Sequence, residues 1–108
     1  MGNAERVALS GSEKALIPVV WSEPALANLR AIRAYYEPLN PRAAGELARR
    51  LIEAGESLAQ APFRGRPVQG TSARELLSVP PYIIRYRIRS DAIRILRVRH
   101  MVRRPTRP

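Results

Sequence analysis

The apolar period of this chain changes at Pro62. From Ser22 up to it, apolar residues recur every three or four positions, as one face of a helix requires. After it they alternate with arginine, as a strand with two unlike faces requires. A chain of 108 residues has room for one core, so both kinds of element must bury their apolar sides together. The predicted class is therefore α+β: an N-terminal strand, an antiparallel two-helix hairpin, then a three-strand antiparallel meander, with the helices on one face of the sheet.

Ile17-Pro18-Val19-Val20-Trp21 is short, β-branched and aromatic, and reads as the first strand. Pro18 has no amide hydrogen, so the strand begins there or lies at an edge. Trp21 is most simply a core anchor. Ser22 then suits an N-cap, with Glu23 and Pro24 in the first helical turn. Ala25, Leu29, Ile32 and Tyr36, with Leu26 beside them, make one apolar stripe. Tyr35 is placed on the outer side, where it can contact a partner.

Pro38 ends this helix and Asn40-Pro41 starts the next. Its inner stripe is Ala44, Leu47, Leu51 and Leu58, flanked by Ala48 and Ile52. Glu46–Arg50 and Arg49–Glu53 are spaced for i,i+4 ion pairs on a solvated outer face. Gly45 and Gly55 each cost about 1 kcal/mol relative to Ala within a helix. Close packing against the neighbouring helix is expected to offset that cost.

Beyond Pro62, Gly65, Pro67, Gly70 and Thr71-Ser72 mark a loop that displays Arg64 and Arg66. The strands predicted after it are Arg74–Val79, Tyr82–Arg89 and Ala92–His100. Ser90-Asp91 is short enough to join the last two as a hairpin. If Arg89 pairs with Ala92, Ile88 meets Ile93 and Tyr86 meets Ile95 on one face. Arg87 then meets Arg94 on the other, and like charges directly opposite destabilise a sheet. That face is expected to be wet or to await an anionic partner. Tyr82 and Tyr86 alternate with arginine, a pattern shared by base-stacking platforms. Their alternation with Ile84 and Ile88 favours the core.

Charge divides at the same place as period. Residues 1–61 carry seven basic and seven acidic side chains, whereas residues 62–108 carry twelve arginines against Glu75 and Asp91. A region at 12 − 2 = +10 implies nucleic acid, an anionic surface or an acidic protein as partner. Arginine, with its planar fork, pairs bidentately with phosphate or carboxylate.

Other classes are excluded. There is no cysteine and only one histidine, so neither a disulfide framework nor a thiolate or structural zinc site is open to the chain. No metal or cofactor is expected. No apolar run approaches the roughly 20 residues that span a bilayer, and a cytoplasmic location is expected. Residues 1–15 read as a flexible leader, 16–101 as a single domain and 102–108 as a basic tail with Arg103, Arg104 and Arg107.

Several stretches occur in a familiar order: Val20-Trp21-Ser22 leading into Pro24-Ala25, Asn40-Pro41 with Ala43-Ala44, and Leu58 with Pro62 and Gly65-Arg66. Tyr82-Ile83-Ile84-Arg85-Tyr86-Arg87 and Ile95-Leu96-Arg97-Val98-Arg99-His100, followed by Arg103, complete it. Together they resemble the type II toxin family that contains the RelE and ParE toxins, over about residues 18–105. The resemblance implies a small bacterial toxin that inhibits growth and is held inactive in a hetero-oligomer with a cognate acidic antitoxin.

RelE-like members of that family cleave messenger RNA on the ribosome, and ParE-like members poison DNA gyrase. Cleavage through the 2′-hydroxyl requires an acid or base as well as cations. In the RelE-like pattern an Arg follows the Tyr that opens the penultimate strand, and a Tyr or His-Tyr pair closes the catalytic set. Here Ile83 follows Tyr82, Met101 follows His100, and no tyrosine occurs after Tyr86. Both departures match the ParE-like pattern.

The resemblance therefore implies a gyrase-directed toxin, with Arg64, Arg66, Arg87, Arg94, Arg97, Arg99, His100, Arg103, Arg104 and Tyr35 as the residues for target or antitoxin. The alternative is a ribosome-dependent mRNA interferase with a rearranged set of Arg85, Arg97, His100 and Arg103. A third reading is a degenerate binding module on the same fold. His100 itself suits a capping or packing role as well as an acid–base one.

Overall fold

The structure is a computed structural model that describes residues 17–102. The leader 1–15 and the tail arginines Arg103, Arg104 and Arg107 lie outside the described residues. In chain order the elements are β1 (Val19–Trp21), α1 (Glu23–Tyr36), α2 (Pro41–Glu56), a 3₁₀ turn (Ser57–Ala59), β2 (Arg66–Pro67), β3 (Ala73–Val79), β4 (Tyr82–Ile88) and β5 (Ile93–His100).

Both helices start at side-chain caps read from the sequence. Ser22 Oγ accepts from the Ala25 amide at 3.1 Å, and Asn40 Oδ1 accepts from the Ala43 amide at 3.1 Å. Each bond satisfies one of the amides a helix leaves unpaired in its first turn. The helices pair as a hairpin and lie on one face of the sheet. Ala25, Leu29, Leu51, Ala54 and Leu58 meet Leu76, Ile84, Tyr86, Ile93 and Ile95 in a single core.

The sheet is larger than the expected meander. Its order is β1-β5-β4-β3-β2, with β1 parallel to β5 and the two-residue β2 antiparallel to β3. The stretch read as loop thus contributes an edge strand at Arg66. The β4–β5 hairpin has the expected register: Ile88 opposite Ile93, Arg87 opposite Arg94 and Tyr86 opposite Ile95.

Strict alternation beyond Ile95 would turn Arg97 towards the helices. A β-bulge intervenes instead, so that Arg85 faces Arg97 and Ile84 faces Val98. The extra residue, Leu96, reverses the phase, which puts Val98 in the core and Arg97 and Arg99 outside. The start of α1 takes up backbone groups beside the bulge. Ser22 Oγ donates to the Leu96 carbonyl at 3.1 Å, and Asn28 Oδ1 accepts from the Val98 amide at 2.9 Å.

Two expectations for the helices change. A Cβ on Gly55 would lie 2.5 Å from Trp21 and 2.8 Å from Ile95, so this glycine lets α2 approach the sheet, not the neighbouring helix. At Gly45 the nearest atom is 3.7 Å away, an ordinary contact. On the outer face the Glu46–Arg50 pair does not form, because Arg49 bridges both Glu46 and Glu53. The hydrogen bond from Arg49 holds the Glu46 carboxyl below its usual range and raises the Arg49 guanidinium. Among the described residues no helix is long and apolar enough to cross a membrane.

Candidate functional site

Side chains opposite one another in a sheet share a face, so the register locates the arginines. Ile84, Tyr86, Ile93 and Ile95 face the helices, and their strand neighbours therefore point to the side that no described helix covers. One row across that open face runs Arg97–Arg85–Glu75–Arg66, and the next runs Val20–Arg94–Arg87–Ala73. Arg99, opposite Ile83, lies on the same side. Six guanidiniums thus share a face with one carboxylate.

That carboxylate is the hub of the first row. Glu75 Oε2 accepts from Arg85 Nε at 3.1 Å and from an Arg99 terminal nitrogen at 3.2 Å. With only 14% of its side chain exposed, it joins β3 to both later strands from one atom. Arg87 has no such partner. Its Nε is buried without a hydrogen bond, and an unsatisfied buried donor costs about 1–3 kcal/mol.

The structure separates other residues that the sequence groups together. Arg74, adjacent to Glu75, turns to the helix side: its Nε donates to the Gly65 carbonyl at 2.8 Å and its guanidinium lies 5.2 Å from the centre of the Phe63 ring. It ties down the loop before β2. Arg64 is exposed but bonds Ser57 Oγ, and lines an open pocket of about 290 Å³ with Arg50 and Ser78, among others. Its side chain therefore reaches the end of α2 and not the row that holds Arg66. Tyr35 is 62% exposed on α1, edge-on to Tyr36, and belongs to the helix layer. Tyr82 and Tyr86 are core residues, with 4% and 0% exposure. The Tyr86 hydroxyl donates to the Pro62 carbonyl at 2.6 Å and accepts from the Gly65 amide at 2.9 Å.

His100 faces Tyr82 in the register and meets its ring edge-on at 5.4 Å between centres. Its Nδ1 accepts from the Val102 amide at 3.1 Å. Tyr82 is on the helix side, so His100 is on the opposite side of the sheet from Arg85 and Arg97. The rearranged set of Arg85, Arg97 and His100 is not brought together.

Sequence reasoning missed Glu75 as a member of the face and the bulge that brings Arg97 there. The adjacent pair Ile95-Leu96, which breaks the alternation, was the available signal for the bulge. Glu75 offered none, because its partners come from two other strands. The face can hold anions. It presents cations with one built-in counter-ion and, among the described residues, no imidazole or phenol.

Comparison with known proteins agrees with this layout. The family model described as the ParE toxin of the type II toxin-antitoxin system, parDE, matches residues 19–105. "Toxin RelE2" of Caulobacter vibrioides is 48% identical over 85 residues, which cover 79% of this chain and 96% of that protein. "Putative toxin Y4kP" of Sinorhizobium fredii is 44% identical over 81 residues, covering 74% and 83% respectively. Among solved structures, a chain of the chromosomal ParDE TA system from P. aeruginosa is similar with a TM-score of 0.72 at 28% identity. The match covers 79% of this chain and 96% of that one.

Proposed function

We propose that this chain, which belongs to the ParE toxin family of type II toxin–antitoxin systems, inhibits growth by binding DNA gyrase and not by cutting RNA. Membership implies an antitoxin as its partner. The observation that carries the gyrase reading is the division of groups between the two sides of the sheet. Six arginines of the sheet are on one side, and the single imidazole, His100, is on the other.

Phosphodiester cleavage needs proton transfer close to the cations that stabilise the developing charge. The acid on the arginine side, Glu75, is already the counter-ion of Arg85 and Arg99. Ile83, where the interferase pattern has arginine, is 8% exposed and offers no polar atom. A binding protein needs none of the missing groups.

The names of the relatives favour the second reading, a ribosome-dependent mRNA interferase, since one of those similar in sequence is called RelE2. One pair of assays separates the two. Purified full-length chain is expected to inhibit supercoiling by gyrase and to leave ribosome-bound messenger intact. Cleavage at codons in a reconstituted translation mixture, abolished by His100→Ala with the fold retained, would overturn the gyrase reading.

A further inference from the structure

We propose that Arg87 and Arg94 form a docking subsite for a carboxylate on an acidic, apolar-flanked protein segment. The inference rests on the antitoxin partnership stated above and names the place where that partner's charge enters.

The two rows of the open face differ in whether they contain their own anion. In the first, Glu75 sits opposite Arg85 and pairs with both it and Arg99. In the second, Arg94 and Arg87 stand directly opposite each other between Val20 and Ala73, with no acid in the row. Neither arginine takes part in an ion pair among the described residues, and the Arg87 Nε is buried without an acceptor. Opposed like charges and an unsatisfied donor both disfavour the isolated chain. An incoming carboxylate relieves both at once, since one anion can accept from two guanidiniums, as Glu75 already does one row away.

The ends of the row decide the class of partner. Val20 on the edge strand is 41% exposed and apolar, and Ala73 closes the other end without charge. A nucleic-acid backbone repeats its charge and gains affinity from cations that continue along it. Cations continue into the next row of this face, but Glu75 interrupts them there and Val20 and Ala73 bound this pair, a mixture that matches a segment in which acidic and apolar residues alternate.

The test uses the full chain, a fluorescein-labelled peptide of alternating Glu and Val, and a short oligothymidine of similar charge. Arg87→Gln with Arg94→Gln is expected to weaken peptide binding about tenfold, with each single change doing less. The double variant is expected to melt no lower than the parent, because the opposed charges are gone; a purely structural pair would lower its melting temperature. Unchanged peptide affinity, or a greater loss for oligothymidine than for peptide, would overturn the assignment. Co-expression with the product of the adjacent reading frame separates the subsite from the antitoxin reading. If parent and double variant co-purify with it equally, the subsite is wrong and the antitoxin reading stands. If neither co-purifies, the reading falls and the subsite with it.

Discussion

On the helix side of β4, Tyr82, Ile84 and Tyr86 are 4%, 1% and 0% exposed, and the Tyr86 hydroxyl has both an acceptor and a donor. On the other side of the same strand, Arg85 shares a carboxylate with Arg99, and Arg87 keeps a buried nitrogen with no acceptor. The same backbone thus carries one surface completed by folding and one left partly unsatisfied. Protein interiors tolerate few unpaired polar groups, so polar satisfaction is reached where the chain meets itself. Where it is missing, as at Arg87, the missing group is best sought in a partner.

The comparison is tested most severely at Tyr86. Tyr86→Ala removes a fully buried ring and is expected to cost about 3–5 kcal/mol in urea unfolding. Tyr86→Phe, which leaves the Gly65 amide and the Pro62 carbonyl without their partner, is expected to cost about 1–3 kcal/mol. A loss for Tyr86→Ala no larger than that for Tyr86→Phe would mean that the core side is not the completed one.

A smaller effect is expected on the open face. Glu75→Ala removes the shared counter-ion of two partly exposed arginines and is expected to cost about 1 kcal/mol. Melting in low and high salt checks this, because screening should shrink the loss. A gain in stability would show that Glu75 does not act as the face's internal anion.

The smallest effect belongs to the outer face of α2, where all partners are solvated. The folded-state pKa of Glu46 is lowered by its hydrogen bond from Arg49. Its contribution is therefore complete above the unfolded carboxylate range and lost as pH falls through the lowered value. The difference in melting temperature between the parent and Glu46→Gln should be small at neutral pH and vanish on acidification. A difference that grows in acid would contradict the assigned direction.

Much of this fold is legible in local chemistry. Ser22 and Asn40 cap the helices where their side chains and the following prolines indicate. The register of the last hairpin follows from a two-residue connection and the need to bury Tyr86, Ile93 and Ile95. The candidate site was only half legible. Arg87 and Arg94 could be paired from the hairpin alone, whereas Arg97 depended on a bulge and Glu75 on two strands distant in sequence.

By itself, then, the sequence determined the two-helix hairpin, the hairpin that follows it, and the concentration of charge beyond Pro62. Each depends on residues a few positions apart, whose caps, turns and periods are local in sequence. Tertiary structure alone decided that β1 lies beside β5, that the Leu96 bulge turns Arg97 outward, and that His100 faces away from the six arginines of the open face. Those outcomes depend on distant groups competing for backbone partners: Ser22 and Asn28 serve the carbonyl and amide beside the bulge. Glu75 is likewise shared between two strands by one oxygen.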